Sequence, residues 1–444
     1  MKNSTFIRLP KKSKAVECTE FRTLSLMSHM LKVLLRIILR RNKILLEKEI
    51  DVTQSGFIGG KGTREGIFNM RTISERYLQL NKEIYVCFID YEKAFDRVNH
   101  EKLIQSLQRI GVRGRDIRFI RNLYWDQKAF IKLENSLSDE IKIKRGVRQG
   151  CVLSPTLFNL YTEMIFREIE DLPGINIGGR NVNNLRYADD TVLVAENEEH
   201  LQNLLDTVNN SGLCYGMKMN AKKTKSMVIS RKEAKPRIKI KIGQTDIEQV
   251  DNFIYLGQMI TEDGRSDKEI IRRISIAKGI FNKMSKNVLC KKETSLKTRK
   301  RILTCYVWST LLYGADTWTL NTEMIKRLSA FEMWCYRKML RISWYDKISN
   351  EEVLKWIKEK RTLVTSIKIK KLKLFGHIVR RNNLQRDLME GHINGKRGRG
   401  RPITTWTSNI QEWTGLKYSE AIRAAHDRPL WRAISSNPLQ EDGT

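Results

Sequence analysis

Carboxylates stand directly at the ends of apolar segments in two places, and this arrangement limits the fold more than any other feature of the chain. Ile84 to Ile89 are β-branched, aromatic, sulfur-containing or aliphatic residues, a pattern typical of a strand buried on both faces, and Asp90 ends it. Leu185 to Ala195 reads as two apolar strands with Asp189 and Asp190 between them, which predicts a hairpin. Aspartates at strand ends commonly make turns, but carboxylates held rigidly on adjacent strands also suit hard divalent cations.

The balance of charge points to a polyanionic partner. Lys and Arg number 82 against 50 Asp and Glu, which gives a formal net charge of +32. Self-repulsion opposes compaction of so basic a chain, so nucleic acid or an anionic membrane surface is the favoured partner over the alternative of a merely basic soluble protein. At 444 residues the chain is too long for one core and predicts two or three packed units.

Cysteine usage and hydropathy limit the compartment. The seven cysteines are scattered and form no C-x-x-C pair, so neither a disulfide framework nor a zinc site is predicted. Lys32 and Arg36 interrupt the apolar stretch from Leu24 to Leu39, which therefore predicts an amphipathic helix and not a membrane span. With no secretory signal visible, we expect a nuclear and cytoplasmic protein that is neither secreted nor membrane-embedded.

The remaining pattern predicts mixed structure followed by helices. Ser154 is predicted as an N-cap and Pro155 as the first residue of a helix reaching about residue 170. Further helices are predicted up to about residue 49 and over 65–81 and 198–217, with strands near 226–230 and 253–256. Beyond about Asp267 helical patterns dominate to about Lys373. A low-complexity basic tract then runs from Gly395 to Pro402, before a short helical segment around residues 406–413.

Five segments resemble, in the right order, the palm motifs of reverse transcriptases from non-LTR (LINE-type) retrotransposons. They are Phe88 to Asp96, Arg145 to Pro155, Tyr187 to Asp190, Gly212 to Thr224 and Phe253 to Gly257. The resemblance continues outside the palm and covers nearly the whole chain. The additional segments are Leu9 to Lys12, Phe21 to Leu26, Gly56 to Arg64, Leu312 to Trp318, Leu374 to Arg380 and the basic tract.

The resemblance implies a metal centre. Asp90 and Asp189 match the two main metal ligands of the family, and Asp190 matches a third carboxylate that contributes less directly. Tyr91 matches the residue that offers its backbone carbonyl to a metal. The implied cofactor is a pair of Mg²⁺ ions, with Mn²⁺ as an alternative ion.

The resemblance also implies a nucleotide site. Phe95 matches the bulky gate that excludes a ribose 2′-hydroxyl, although any such phenylalanine can equally be a core aromatic. Gln149 and Gly150 match the pair that lies along the incoming nucleotide and template in the family. The alternative is that Gly150 is an ordinary turn glycine before a helix. Lys223 matches a lysine near the triphosphate, but in the run from Lys222 to Lys225 the register can slip by one, and a solvated lysine is the alternative. Arg22 and Lys32 match basic finger residues that meet phosphates.

Contacts to the nucleic acid follow from the same resemblance. Tyr187 is expected under the primer end, with a plain cross-strand aromatic as the alternative, and Tyr255, Leu256 and Gly257 match the primer-grip strand. The basic tract is expected to bind RNA backbone, or else to be a nuclear-import signal or a solvated tail. Its cations are Lys396, Arg397, Arg399 and Arg401.

The implied fold is an α+β right-hand polymerase with fingers, palm and thumb, a small antiparallel palm sheet and a helical C-terminal region. We expect partial fingers over 1–84, a palm with an inserted finger segment over 85–266, a helical thumb over 267–350 and a basic C-terminal region over 351–444. The reverse transcriptase domain is expected to cover about 1–260. Relative to full-length family members, which usually carry an endonuclease, we expect a truncated chain without that domain.

The predicted function is RNA-directed DNA polymerisation, in which dNTPs are added to a DNA primer on an RNA template. A catalytically inactive nucleic-acid-binding remnant is the main alternative, because the fingers are incomplete. An RNA-dependent RNA polymerase is the second alternative, disfavoured by Phe95 and the retrotransposon-like thumb. The sequence does not define the oligomeric state.

Overall fold

The computed structural model describes residues 3–125, 127–133, 136–396 and 403–438. All strands of the described residues lie within the first 261 residues, mixed with helices, and helices alone follow, so the predicted α+β class with a helical C-terminal region is confirmed. In the described part of the chain, no helix combines the length and apolar character that crossing a membrane requires.

The strands form two five-stranded sheets and three separate hairpins. They are β1 (Asn3–Pro10), β2 (Phe21–Leu26), β3 (Ile84–Ile89), β4 (Gln127–Leu133), β5 (Ser136–Leu137), β6 (Ile141–Ile143), β7 (Ile175–Ile177), β8 (Arg180–Val182), β9 (Asn184–Tyr187), β10 (Asp190–Ala195), β11 (Lys225–Ile229), β12 (Lys241–Ile242), β13 (Thr245–Asp246), β14 (Glu248–Gln249), β15 (Asn252–Tyr255) and β16 (Gln258–Thr261).

The helices pack around these sheets and build the C-terminal half. They are α1 (His29–Lys48), α2 (Thr63–Gln79), α3 (Ala94–Arg97), α4 (His100–Arg109), α5 (Gly114–Tyr124), α6 (Ser154–Phe166), α7 (Glu198–Cys214), α8 (Asp267–Met284), α9 (Leu296–Ile302), α10 (Ser309–Leu311), α11 (Thr322–Leu340), α12 (Asn350–Ile357), α13 (Leu363–Val379), α14 (Leu384–Glu390), α15 (Trp406–Thr414), α16 (Tyr418–His426) and α17 (Arg428–Ser436).

The central sheet has the strand order β14-β11-β3-β10-β9, with β3 in the middle. Strand β3 pairs antiparallel with both β10 and β11, so that Phe88 lies opposite Val192 on one side and Lys225 on the other. Val86, Cys87 and Phe88 are all buried because helices cover both faces of the sheet. The strand predicted over residues 84–89 and the hairpin predicted over 185–195 are therefore both confirmed.

The second sheet joins the N-terminal segment to the middle of the chain. Its order is β2-β1-β4-β5, with β6 also paired to β4, and β1 runs parallel to β4. Backbone bonding ties this sheet to the loop before α6, because the Ser25 N–H donates to the Gln149 carbonyl over 2.9 Å. The N-terminal strands are thereby held beside the end of β3.

Helix α6 begins differently from the prediction. Leu153 occupies the N-cap position, and Ser154 lies inside the first turn without capping it. The Ser154 hydroxyl instead shares a hydrogen bond of 3.1 Å with the Tyr124 hydroxyl. The predicted N-cap was wrong because burial of this turn, with Ser154 only 1% exposed, gives the hydroxyl a tertiary partner.

The C-terminal helices form a packed body on α2. Phe68 of α2 lies in one apolar cluster with Phe375, Trp406 and Trp431. Trp431 donates its indole N–H to the Leu372 carbonyl over 2.9 Å. Its ring packs so closely on α13 that a Cβ at Gly376 would come within 2.4 Å of the ring. The sequence pattern predicted a single short helix near 406–413, which is α15, and it missed α16 and α17, which have the same length of nine residues.

Candidate active site

The backbone around Asp90 is held by the loop that follows α7. The Asn220 N–H donates to the Asp90 carbonyl over 2.8 Å, and the Glu92 N–H donates to the Lys218 carbonyl over 2.9 Å. The Thr224 hydroxyl accepts a hydrogen bond of 3.3 Å from the Asp90 N–H. With its backbone occupied in this way, Asp90 directs a carboxylate that is 39% exposed into the space beyond the strand.

Asp189 lies at the tip of the β9–β10 turn, which is supported from below by Gln54. The fully buried Gln54 side-chain oxygen accepts from the Ala188 N–H over 2.9 Å and from the Gly56 N–H over 2.7 Å. Ala188 has a φ of 57°, a left-handed conformation that costs energy for an L-residue unless its surroundings hold it. A Cβ on Gly56 would come within 2.3 Å of the Ala188 nitrogen, so only glycine allows this close approach.

These two strand ends open into one cavity of about 830 Å³, which we call the front cavity. Asp90 and Asp189 both line it, together with Arg22, Phe95, Gln149 and Lys223. The remaining lining residues include further cations at Lys11, Lys93, Arg97 and Arg145. The cavity thus combines the two strand-end carboxylates, and the further acidic residues Glu92 and Asp96, with an excess of cations, an arrangement suited to a metal-bound polyphosphate.

The carboxylates at this site oppose one another electrostatically. Burial, followed by the negative charge of Asp90, raises the pKa of Asp189. Partial desolvation and the charges of Asp189 and Asp90 raise the pKa of Asp190 to about 6. Lys223 offsets part of this negative charge, with its Nζ 3.6 Å from an Asp90 oxygen. A bound cation would relieve the same repulsion.

Asp190 and Tyr91 take different places from the two main carboxylates. The Asp190 side chain is exposed and does not line the front cavity. Tyr91 does line it, but the ring is buried and its hydroxyl has no hydrogen-bond partner among the described residues. A less direct metal role for Asp190 and a metal contact by the Tyr91 backbone both stay predictions.

Phe95 is both a packed aromatic and part of the cavity wall. Its ring stacks on Phe158 with centroids 4.3 Å apart and planes 9° apart, and the edge of Phe57 meets it at 6.1 Å. The ring remains partly exposed and lines the front cavity. The two readings of Phe95 are therefore compatible, since stacking on Phe158 holds the ring rigidly where it narrows the cavity.

Gln149 and Gly150 divide between the cavity and the neighbouring sheet. Gln149 lines the front cavity, whereas Gly150 does not. Gly150 has a φ of 94°, and a Cβ there would meet the Leu24 side chain at 2.8 Å. The structure therefore explains this glycine by its turn and its contact with β2, while close approach to a nucleotide stays a prediction.

The predicted phosphate contacts are only partly brought together. Arg22 and Lys223 line the front cavity, but Lys32, on α1, does not. Within the lysine run, Lys223 lines the front cavity and Lys222 does not, while Lys225 pairs with Glu248 at 2.6 Å. A triphosphate contact by Lys223 stays a prediction. Lys11 and Arg145 also line the cavity, and their signal in the sequence was their place within two of the recognised motifs.

A protein-family model described as reverse transcriptase (RNA-dependent DNA polymerase) matches residues 9–260, which is more than half of the chain. The chain belongs to the reverse transcriptase family. Members of this family generally depend on a divalent metal. The predicted resemblance to reverse transcriptases of non-LTR retrotransposons is also confirmed, because the relatives include Pol polyproteins of such elements.

The reverse transcriptase is similar to proteins of several insect elements. It is 27% identical over 72% of its length to a Pol polyprotein from a type-1 R2 retrotransposable element of Popillia japonica, covering 45% of that protein. It is 29% identical over 59% of its length to the corresponding R2 protein of Nasonia vitripennis, covering 26% of it. It is 22% identical over 74% of its length to the RNA-directed DNA polymerase from the mobile element jockey of Drosophila funebris, covering 36%. The chain thus spans less than half the length of these relatives.

Among solved structures, an apo telomerase from Candida tropicalis matches the reverse transcriptase with a TM-score of 0.43 and 15% identity. The match covers 88% of this chain and 70% of the telomerase chain.

The predicted primer-grip residues of the reverse transcriptase form the tip of the β15–β16 hairpin. Tyr255 is buried, while Leu256 and Gly257 take positive φ values of 48° and 76° in the turn. Arg272 donates to the Gly257 carbonyl over 2.8 Å and Arg273 donates to the same oxygen. Helix α8 therefore anchors the turn, and contact of these three residues with a primer stays a prediction.

The predicted basic tract lies mostly outside the described residues. Lys396 is exposed, and Arg397, Arg399 and Arg401 fall in a segment that the structure does not describe. Their role in binding RNA stays a prediction.

Proposed function

We propose that this reverse transcriptase catalyses RNA-directed DNA synthesis, adding dNTPs to the 3′-hydroxyl of a DNA primer on an RNA template and releasing pyrophosphate. The observation that carries the proposal is the convergence of Asp90 and Asp189 in a cavity that also contains Arg22, Phe95 and Lys223. These five side chains come from four different motifs, since Asp90 and Phe95 share the first, and together they supply metal ligands, phosphate contacts and a sugar-facing wall.

The donor chemistry of the front cavity fits Mg²⁺. Asp90 and Asp189 offer hard oxygen ligands whose mutual repulsion a cation relieves. Among the described residues, no three Asp, Glu, His or Cys side chains form a ready-made metal cluster. This agrees with magnesium, which commonly takes one or two carboxylates and completes its shell with water and substrate phosphates. We propose that Asp90 and Asp189 hold two Mg²⁺ ions, or Mn²⁺ in their place, with help from Asp190 and the Tyr91 carbonyl.

Each part of the cavity has a proposed task. When bound, the ions neutralise charge on the attacking and leaving oxygens. Arg22 and Lys223 bind the triphosphate and hold it in line with the primer end, while Gln149 lies along the nucleotide. Phe95 presents a rigid ring to the sugar and excludes a 2′-hydroxyl. Gln54 and Gly56 keep the Asp189 turn in its left-handed conformation and so act as positioning residues.

Phe95→Val is expected to admit ribonucleotides. Forcing a 2′-hydroxyl against the rigid Phe95 ring should cost about 1–3 kcal/mol. Replacing the ring by the smaller valine should therefore lower the preference for dNTP over rNTP about tenfold or more. The measurement is the ratio of kcat/KM values for dCTP and CTP. Phe57→Leu is the control, because Phe57 contacts the Phe95 ring but does not line the cavity, and its φ of 58° would strain a β-branched valine. An unchanged ratio in Phe95→Val would reduce Phe95 to a core aromatic.

Replacement of Lys396, Arg397, Arg399 and Arg401 by Ala is expected to weaken the salt dependence of RNA binding. Each lost phosphate contact should reduce the slope of log affinity against log salt by about 0.7 for a single strand. Fluorescence anisotropy with unrelated single strands at several salt concentrations measures the slope. A parental slope would assign the tract to a targeting or solvated role.

Primer extension tests the proposed reaction and separates it from its alternatives. Purified protein receives an RNA template, a DNA primer, Mg²⁺ and either dNTPs or NTPs. We expect extension with dNTPs and a product that DNase removes. An inactive remnant would bind the template without extending the primer, and an RNA polymerase would extend it with NTPs. The division into fingers, palm, thumb and C-terminal region and the nuclear and cytoplasmic location stay proposals.

A further inference from the structure

A second cavity, which we call the rear cavity, lies where α2, the segment after α10 and helix α13 meet. Its volume is about 590 Å³, and it shares no lining residue with the front cavity. Two motifs that the polymerase chemistry leaves unexplained build its walls: residues 312–318 supply Tyr313 and Asp316, and residues 374–380 supply Leu374 and His377. Lys370 and Lys373 line it from the preceding turns of α13.

The rear cavity adjoins the β15–β16 turn through Tyr313. The Tyr313 hydroxyl donates to the Leu256 carbonyl over 2.8 Å, and its ring lies 3.4 Å from the position of a Cβ on Gly257. The same hydroxyl lies 3.1 Å from the Thr63 hydroxyl in the first turn of α2. A nucleic-acid strand that passes the β15–β16 turn on the Tyr313 side would therefore lie within one side chain's length of the rear cavity.

The charge of the rear cavity is positive once internal pairs are accounted for. Arg64 lies 2.6 Å from Glu65 and 3.8 Å from Asp316, and the positive charge of Lys370 also acts on the Asp316 carboxyl, whose pKa is raised by burial. Three cations, Arg64, Lys370 and Lys373, thus face two carboxylates. The Nζ atoms of Lys370 and Lys373, both exposed, make neither a hydrogen bond nor an ion pair with any described residue. Two lysines three residues apart on one helix face are thus available to an anion.

A second arginine adds to the positive field. Arg381 lies over the glycine-rich loop and donates to the Gly60 carbonyl over 3.4 Å. Burial, together with the charges of Arg381 and Arg64, lowers the pKa of His377, so its imidazole is neutral at neutral pH. A neutral imidazole keeps one ring N–H that can donate to a phosphate oxygen beside the two lysines.

We propose that the rear cavity binds the sugar-phosphate backbone of the nucleic acid beyond the primer-grip turn, through Lys370 and Lys373. The inference rests on the proposed function, because it takes a strand that passes the β15–β16 turn as the ligand. The proposal gives residues 312–318 and 374–380 a role in nucleic-acid binding, because they form walls of the cavity between the β15–β16 turn and the C-terminal helices. The contact is to phosphate and therefore independent of base sequence.

The test compares Lys370→Gln/Lys373→Gln with Lys355→Gln/Lys358→Gln. The control pair has the same spacing and charge and is exposed at the end of α12, where Glu351 and Glu359 lie nearby. Affinity for an RNA–DNA primer–template duplex is measured by fluorescence anisotropy without dNTPs over a range of salt. We expect the first pair to flatten the salt slope by about 0.9 for each lost phosphate contact, and the control to keep the parental slope.

Photocrosslinking gives an independent result. A duplex with 4-thiouridine placed along the strand should crosslink to the peptide containing Lys370 and Lys373 in the parent. Equal slopes for both variants, or a crosslink confined to other helices, would overturn the proposal. Loss of affinity in the first variant together with a parent that cannot extend a primer would leave the backbone site standing and reject the polymerase function. If free dNTP, but not unlabelled duplex, abolished the crosslink, the proposal would be wrong and the rear cavity would be a nucleotide site.

Discussion

Asp189→Asn is expected to reduce primer extension by at least about a hundredfold, while RNA affinity and the unfolding temperature stay close to those of the parent. The amide keeps the shape of the side chain but removes the charge that a hard cation requires. Loss of an outer-shell partner of a metal alone commonly costs 10–100-fold, so loss of a direct ligand should cost more. Steady-state extension on an RNA template measures the effect.

Asp246→Asn is the control for this prediction. The Asp246 side chain is 78% exposed in β13 and pairs with Lys241 at 3.8 Å, remote from the lining of the front cavity. We expect it to extend the primer at the parental rate. If Asp189→Asn were as active as Asp246→Asn, the assignment of the β9–β10 turn to metal-dependent chemistry would be wrong.

Lys371→Met is expected to destabilise the protein, at about 1–3 kcal/mol for each of the two buried acceptors that lose their donor. Lys371 is fully buried on α13, and its Nζ donates to the Trp318 carbonyl over 2.9 Å and to the Asn409 side chain over 2.8 Å. Burial lowers the Lys371 pKa well below its usual value, and the charge of Glu75 on α2 counteracts this shift.

The reason for so large an effect is that Lys371 joins three parts of the chain. Glu75 accepts hydrogen bonds from the Thr319 hydroxyl at 2.7 Å and from the Trp406 N–H at 2.8 Å. Glu75 therefore connects α2 with the segment after α10 and with α15, and Lys371 connects α13 with the same two parts of the chain. Thermal unfolding is the measurement, and Lys326→Met, at an exposed position of α11, should change the stability by no more than about 0.5 kcal/mol. Parental stability in Lys371→Met would mean that the C-terminal helices do not depend on this contact.

The central sheet and its carboxylates were predictable because they depend on local pattern. The run from Ile84 to Ile89 is apolar on both faces, and it forms a strand with the same bounds that is buried under helices on both sides. The turn containing Asp189 followed from two apolar segments around two acidic residues. Periodicity does not show that Asp90 and Asp189 lie close together in space. The order of the motifs, which resembles that of the palm, indicated this proximity.

The supports of the site were not predictable from the sequence. Gln54 stabilises the turn at Ala188 from 134 residues away, and nothing in its local pattern distinguishes it from a loop glutamine. Ser154 looked like an N-cap, but tertiary burial redirected its hydroxyl to Tyr124. Lys371 lies in a helix rich in lysines, and a pattern of charges predicts a solvated face there. Each of these roles depends on long-range packing, which local propensity does not encode.

The most direct measurement of the central claim is extension of a labelled DNA primer on a defined RNA template by the purified chain, with Asp189→Asn run in parallel. The account predicts a Mg²⁺-dependent product from the parent, complementary in sequence to the RNA and removed by DNase, and no such product from the variant. Binding of the template without extension by the parent, or equal extension by both proteins, would contradict it.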